Sequence, residues 1–216
     1  MQESTEQTFQ VQQLLVYPKY NRSVRYDADI ALLKLNESAD MTDFVQPICL
    51  GKLPPGRRGR ELCYITGWGD TENGPYYNGN LNQAQLPALS DKKCSRIYGE
   101  RGVKLTKNMF CAGETGDPPV PDACSADSGG PLACRYKNRW ILYGVTSLGL
   151  NGPDRLYSIQ SQLPPAFVMP LKEIIADEEN VREEQETRQL RCGNGPGIYT
   201  DVAKFKKWIE RTIRTN

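Results

Sequence analysis

An all-β fold, either a barrel or a sandwich, closed by one C-terminal helix, is predicted by three features of this 216-residue chain. Short apolar or alternating runs recur between turns rich in Gly, Asn and Pro, the pattern of many short strands. Val202, Phe205, Trp208, Ile209 and Ile213 share one face at helical spacing, opposite Lys204, Lys207 and Arg211. Seven cysteines occur with no Cys-x-x-Cys pair and no histidine anywhere, which favours disulfides over a zinc site.

Taken in order, the first strand is expected in Phe9-Gln-Val-Gln-Gln-Leu-Leu-Val16, followed by a turn at Tyr17-Pro-Lys-Tyr-Asn21. Asp29-Ile-Ala-Leu-Leu-Lys-Leu35 is the second. Residues 36–60 read as a connector, polar at first and ending in Pro54-Pro-Gly-Arg-Arg-Gly-Arg60. Cys63-Tyr-Ile-Thr-Gly-Trp-Gly69 opens a second β-rich block. Its clearest strand is Trp140-Ile-Leu-Tyr-Gly-Val-Thr-Ser147, and its last is Gly197-Ile-Tyr-Thr-Asp-Val202. Residues 150–191 break the pattern. From residue 172 onward they are dense in Glu, Arg and Gln with few aromatics, the composition of a solvated helix or a disordered segment.

Charge is nearly balanced, 27 basic residues against 26 acidic, so no bulk pull toward nucleic acid or a membrane surface is implied. No apolar run is long enough to span a bilayer, and Met1-Gln-Glu-Ser-Thr-Glu-Gln7 lacks a secretory apolar region. Disulfides imply an oxidising compartment. The sequons Asn21-Arg-Ser and Asn36-Glu-Ser agree with that. A secreted chain with no leader of its own points to further sequence before Met1. No cofactor and no metal are expected.

Cys124-Ser-Ala-Asp-Ser-Gly-Gly-Pro-Leu-Ala-Cys134 is the stretch with the most chemistry. The glycines allow a tight turn and a close backbone approach around Ser128. Backbone N–H groups around such a serine can converge on a developing oxyanion. The plain alternative is a polar turn between two strands.

Six stretches decide between these readings. They are Asp29-Ile-Ala-Leu-Leu33, Pro47-Ile-Cys49, Ile65-Thr-Gly-Trp-Gly69, Met109-Phe-Cys-Ala-Gly113, Asp127-Ser-Gly-Gly-Pro131 and Pro196-Gly-Ile-Tyr-Thr200. With them in family order, the chain resembles the trypsin-type serine endopeptidases of the chymotrypsin family over nearly its whole length except residues 150–191. The resemblance implies a double antiparallel β-barrel and a C-terminal helix, as one domain over residues 1–216. Residues 1–60 would be a remnant of an incomplete first barrel plus the connector. Residues 61–216 would form the second barrel and the helix, with an insertion at about 150–191. That insertion is either a real excursion on the pocket rim or non-native sequence.

The same resemblance implies roles. Ser128 matches the nucleophile and Asp29 the carboxylate that orients the base, with Asp27 close by but not in the motif position. Ser147 matches the residue that hydrogen-bonds this carboxylate at the edge of the substrate site. Ala126 and Ser128 match the oxyanion-hole donors, although the family usually has glycine at the position of Ala126. Asp122 matches the floor of a pocket for Arg or Lys, with Gly149 and Gly197 as its walls and Leu148 where an aromatic is usual. Disulfides Cys63–Cys134, Cys94–Cys111 and Cys124–Cys192 are implied, leaving Cys49 unpaired and free to hold an upstream chain. Asp127 matches the partner of a freed apolar N-terminus, which Met1-Gln-Glu does not resemble, so a costly unpaired carboxylate is expected there.

The histidine base is missing. A serine hydroxyl without an adjacent base is a poor nucleophile at neutral pH. Two readings follow: a secreted endopeptidase cleaving after Arg or Lys when complete but inactive as this chain, or a non-catalytic homologue that binds a protein partner.

Overall fold

The computed structural model describes residues 5–52, 63–69, 80–114, 122–124, 126–149 and 195–216. The helical excursion expected within residues 150–191 lies outside them, as does Cys192. The described residues form two sheets. The first pairs β1 (Val11–Val16) with β2 (Ala31–Leu35), antiparallel, with Leu14 opposite Leu33 and Val16 opposite Ala31. Tyr17 N–H extends the ladder by donating to the Ile30 carbonyl at 3.1 Å. Leu14, Val16 and Leu33 all point into solvent, because this two-stranded sheet has nothing packed on that side among the described residues.

The second sheet holds β3 (Cys49–Leu50), β4 (Cys63–Gly67), β5 (Asn82–Leu86), β6 (Met109–Ala112), β7 (Pro131–Tyr136), β8 (Arg139–Leu148) and β9 (Gly197–Asp201). Its main path runs β5-β4-β7-β8-β9-β6, antiparallel throughout. The chain leaving β5 then curls back onto β6. Ala88 bridges Ala112, Leu89 N–H donates to the Cys111 carbonyl at 2.8 Å, and Gly113 N–H donates to the Pro87 carbonyl at 2.9 Å. The curled sheet wraps a core of Ile65, Leu86, Phe110, Leu132, Tyr143 and Tyr199, in which the Phe110 ring lies 4.5 Å from Tyr143 and 5.7 Å from Tyr199. The β7–β8 hairpin closes through Lys137 and Asn138, both at positive φ (47° and 59°), as a two-residue turn matched to strand twist requires.

Two findings differ from the sequence reading. The connector contains β3, whose Cys49 and Leu50 run parallel to Ile141 and Leu142 of β8. A second helix, α1 (Asp91–Gly99), also exists. Ser90 caps it, accepting from Lys93 N–H at 3.3 Å, and Cys94, Ile97 and Tyr98 turn inward. Its apolar stripe is only three residues wide and lies among charged neighbours, too short to stand out as a periodic signal.

The C-terminal helix α2 (Val202–Thr215) is capped by Asp201, whose side chain accepts from Ala203 N–H at 3.2 Å. Val202, Phe205 and Ile209 bury themselves against Ala28 and Ile30 from the start of β2 and against Leu50, Leu142 and Val145 of the second sheet. Tyr17 sets its edge 4.9 Å from Phe205 and 5.2 Å from Trp208. The helix thus binds the two sheets together.

Cys63 is bonded to Cys134, and Cys94 to Cys111. The first pair has Cα atoms 4.0 Å apart, closer than the usual ~4.4–6.8 Å, because the two residues sit directly opposite on adjacent strands β4 and β7. Cys124 is disulfide-bonded as well, while Cys49 is free and exposed.

Candidate functional site

The turn carrying Ser128 is shaped by backbone hydrogen bonds. Asp127 N–H donates to the Cys124 carbonyl at 3.1 Å and Gly130 N–H to the Asp127 carbonyl at 3.0 Å. Gly129 N–H donates to the Thr146 carbonyl at 2.8 Å, and Thr146 N–H returns a bond to the Gly130 carbonyl at 2.9 Å. The turn is therefore fastened to the end of β8 on both sides of Gly129, with Ser128 exposed at its tip. Among the described residues its hydroxyl has no hydrogen-bond partner. Ala126 is also exposed and lies at φ +68°, the left-handed region. That conformation explains why glycine is the natural occupant: a Cβ there crowds the following carbonyl.

Asp127 corrects the expectation of an unpaired carboxylate. Its side chain accepts Gly69 N–H at 2.9 Å and Cys124 N–H at 3.0 Å. Two backbone donors satisfy it, with no cation paired to it among the described residues, and the group is only half-buried. The fit demands glycine on β4 and just after it. A Cβ on Gly67 would stand 2.0 Å from an Asp127 carboxylate oxygen, and one on Gly69 would stand 2.5 Å from its carboxyl carbon.

Asp29 lies just before β2 and reaches the same end of β8. Ser147 Oγ donates to its carboxylate at 2.6 Å, and Thr200 Oγ1 donates to its backbone carbonyl at 2.7 Å. Burial pushes its carboxyl above the usual carboxylate range, and the Ser147 hydroxyl partly offsets this. Thr146 and Ser147 are consecutive. One anchors the serine turn and the other the carboxylate, so β8 sets the relation between Ser128 and Asp29.

Asp27 has a separate task. It is buried and accepts hydrogen bonds from Ser23, from Thr106 Oγ1 at 2.6 Å and from Asn108 Nδ2 at 2.8 Å. Burial opposes its charge, but these three donors outweigh burial and hold its carboxyl below the usual range. Ala28, between the two aspartates, is buried at φ +57°. The two carboxylates consequently point to different partners, Asp27 to the strap before β6 and Asp29 to β8.

Asp122 stands in a small recess. Its carboxylate accepts Ala123 N–H at 2.7 Å. Gly197 and Gly113 leave the space beside it open: a Cβ on Gly197 would lie 3.4 Å from Asp122 Oδ1, and one on Gly113 would lie 3.5 Å from Oδ2. Burial raises the Asp122 carboxyl to about 7, against hydrogen bonds from Ala123 and Gly197 that favour the charged form, while nearby Asp127 adds to the rise. The buried Tyr199 hydroxyl lies within hydrogen-bonding and electrostatic reach of Asp122, though not in strict hydrogen-bond geometry. Burial and the Asp122 charge both push the Tyr199 phenol upward. A recess floored by a desolvated carboxyl beside a buried phenol is suited to a cationic donor-rich group, which would stabilise the ionised carboxylate. Tyr98, on α1, braces the recess by donating to the Pro196 carbonyl at 2.5 Å.

The structure thus gathers Asp29 and Ser147 by direct contact, and ties Ser128 to them through β8. It sets Gly197 beside Asp122, while half-buried Gly149 follows the end of β8. Sequence reasoning missed Gly113 and Tyr199 as lining of the recess. Both stood inside recognised stretches, and the one signal available was the residue type at Gly113, a glycine that the fold holds at φ +119°. Among the described residues no group of three or more Cys, Asp or Glu side chains is placed to hold a metal ion.

A family model described as Trypsin matches residues 1–164. Among solved structures, the chain matches neuropsin, a serine protease expressed in the limbic system of mouse brain, with a TM-score of 0.65 and 30% sequence identity. That match covers 96% of this chain and 72% of the neuropsin chain.

Proposed function

Since the chain belongs to the trypsin family of serine proteases, we propose that it is a serine endopeptidase domain whose recess at Asp122 selects Arg or Lys side chains and which, as residues 1–216, does not turn over. The observation that carries this reading is the pair of bonds at Thr146 and Ser147, which sets the Ser128 turn and Asp29 on one strand end. Ser128 has the role of nucleophile. Ala126 and Ser128 supply the oxyanion donors, and Asp29 with Ser147 is the support for a base. Gly149 and Gly197 flank the cation recess.

The chain contains no histidine, so Asp29 has nothing to orient and Ser128 has nothing to take its proton. Loss of a triad member leaves only about 10³–10⁴-fold catalysis over water. The disulfides fit a secreted protein, and among the described residues no helix is long and apolar enough to cross a membrane. The exposed Cys49 thiol offers a covalent link to another chain.

The test combines an arginyl anilide, a serine-directed phosphonylating probe and equilibrium binding of a guanidinium ligand such as agmatine. No turnover and no labelling are expected, together with agmatine binding that Asp122→Asn abolishes. Turnover lost in Ser128→Ala, or stoichiometric labelling of Ser128, would show that another group serves as base. The missing histidine and Ala126 also favour a second reading, a non-catalytic homologue that binds a partner through the recess. Under it, supplying a histidine-bearing N-terminal segment in trans would leave the anilide uncleaved, whereas under the first reading cleavage after Arg and Lys appears.

A further inference from the structure

The two Asn-x-Ser sequons, Asn21-Arg22-Ser23 and Asn36-Glu37-Ser38, both fall on the first sheet. Asn21 lies in the turn between β1 and β2, and Asn36 follows the last residue of β2. The asparagines in the rest of the sequence open no sequon. Both sequon asparagines and both serines are exposed. In each asparagine the fold uses the carbonyl oxygen. Asn21 Oδ1 accepts Tyr26 N–H at 2.8 Å, and Asn36 Oδ1 accepts Gln10 N–H at 2.9 Å. The amide nitrogens are left nearly unused. Asn36 Nδ2 makes one long bond, 3.3 Å to the exposed carboxylate of Glu37, and Asn21 Nδ2 makes none among the described residues. Asn21 stands at φ +57°, in the left-handed region that asparagine tolerates.

We propose that Asn21 and Asn36 both carry N-linked oligosaccharides, and that these keep the exposed face of the β1–β2 sheet from pairing with other chains. The transfer forms a bond from Nδ2 to the anomeric carbon of a lipid-diphosphate-linked oligosaccharide. The bond from that carbon to the diphosphate oxygen breaks, the lipid diphosphate leaves, and Nδ2 releases one of its two protons. The product amide keeps its carbonyl oxygen and one N–H, so the bonds to Tyr26, Gln10 and Glu37 survive attachment. The placement gives a reason for two sites. β1 spans six residues, about 20 Å, and the sequons stand beyond its two ends. Between them the face carrying Leu14, Val16 and Leu33 is apolar and exposed. A bulky, solvated oligosaccharide at each end obstructs the approach of a second sheet and leaves the core beneath untouched. The inference rests on the reading of the chain as secreted, which brings it to the oligosaccharide donor, and not on whether Ser128 is catalytic.

The experiment passes the full chain through the secretory compartment of a eukaryotic cell behind an added, cleavable leader. Supplying the leader separates this inference from the question of natural secretion. The oligosaccharide count is read by intact mass on the disulfide-bonded chain, taken from the compartment or from the medium. Two are expected. Asn21→Gln and Asn36→Gln should each lose one, and removal by peptide-N-glycosidase in heavy-oxygen water should mark positions 21 and 36. Shielding is read on the folded parent, with Cys49 alkylated beforehand, by trimming each oligosaccharide to its first sugar with an endoglycosidase. Scattering per mole should then rise about twofold, the step from monomer to dimer, at an unchanged thermal transition. Leu14→Lys/Leu33→Lys should abolish that rise. A chain bearing no oligosaccharide, or only one, overturns the proposal. So does trimming that leaves scattering unchanged, or that raises it equally in Leu14→Lys/Leu33→Lys.

Discussion

Ala126 is the residue whose backbone and side chain disagree. Held at φ +68° and exposed, it bears the left-handed penalty without gaining burial in return. Ala126→Gly removes about 1–2 kcal/mol of strain and adds about 0.5–1 kcal/mol of unfolded-state entropy. The net expectation is a stabilisation of about 0.5–1 kcal/mol, read as a higher urea midpoint at unchanged slope. Asp122 governs pH dependence. Its carboxyl is raised from 3.8 to about 7 in the folded chain, so between those values the folded state holds a proton that the unfolded state has released. Its stabilising contribution is complete below about 3.8 and is lost as pH rises through about 7. Asp122→Asn should flatten stability across that window in denaturation curves taken from pH 4 to 8. Agmatine binding to the parent chain should run the other way, tightening as pH rises through 7, because only the ionised carboxylate attracts a guanidinium.

At the scale of elements, the strap around Asp27 is what ties the segment before β2 to the second sheet. Its three side-chain donors come from Ser23 on one side and from Thr106 and Asn108 on the other. Asp27→Ala leaves those donors without their acceptor and should cost about 2–3 kcal/mol, with amide protection lost first in residues 20–28. Because its folded carboxyl is depressed, the contribution is present above the ordinary 3.8 and disappears as pH falls through the lower folded value. Asp27→Asn should therefore reproduce at neutral pH much of what acid does to the parent. The sequence made β1, β2, β4, β8, β9 and α2 readable because each carries four or more residues of clear period. It did not reveal β3, two residues long and stabilised wholly by its neighbour β8, or α1, whose short stripe gains its meaning only from packing on Cys111 and Ile198. The candidate site was legible as residue types in recognised stretches. The satisfaction of Asp127 was not, since it depends on backbone N–H groups that have no identity in a sequence.

For the whole molecule, the sheet of β1 and β2 is the exposed flank. Leu14 and Leu33 face each other across the ladder at 43% and 59% exposure, with Val16 at 49% beside them. An apolar strand pair whose outer edges are unpaired among the described residues invites pairing with another copy. Light scattering of the parent chain should rise with concentration, and Leu14→Lys/Leu33→Lys should reduce it while leaving thermal stability almost unchanged, because neither side chain contributes to a core. The exposed Cys49 gives a second route to association that reducing agent removes, so the comparison is made with it present.

The seat of Asp127 between Gly67 and Gly69 also limits the order in which this protein can change over generations. While the aspartate is there, even one methyl at either glycine meets its carboxylate, so replacing either first forces the carboxylate off its backbone donors. A lineage that loses the aspartate finds both glycines released and free to drift. Once one of them has drifted, the aspartate has no room to come back unless that glycine is restored before it. Gly69→Ala should be destabilising alone, because the methyl displaces the Asp127 carboxylate from its two backbone donors, and milder on an Asp127→Ala background. The three positions are therefore coupled, and a methyl at either glycine is accommodated only together with, or after, a change at the aspartate.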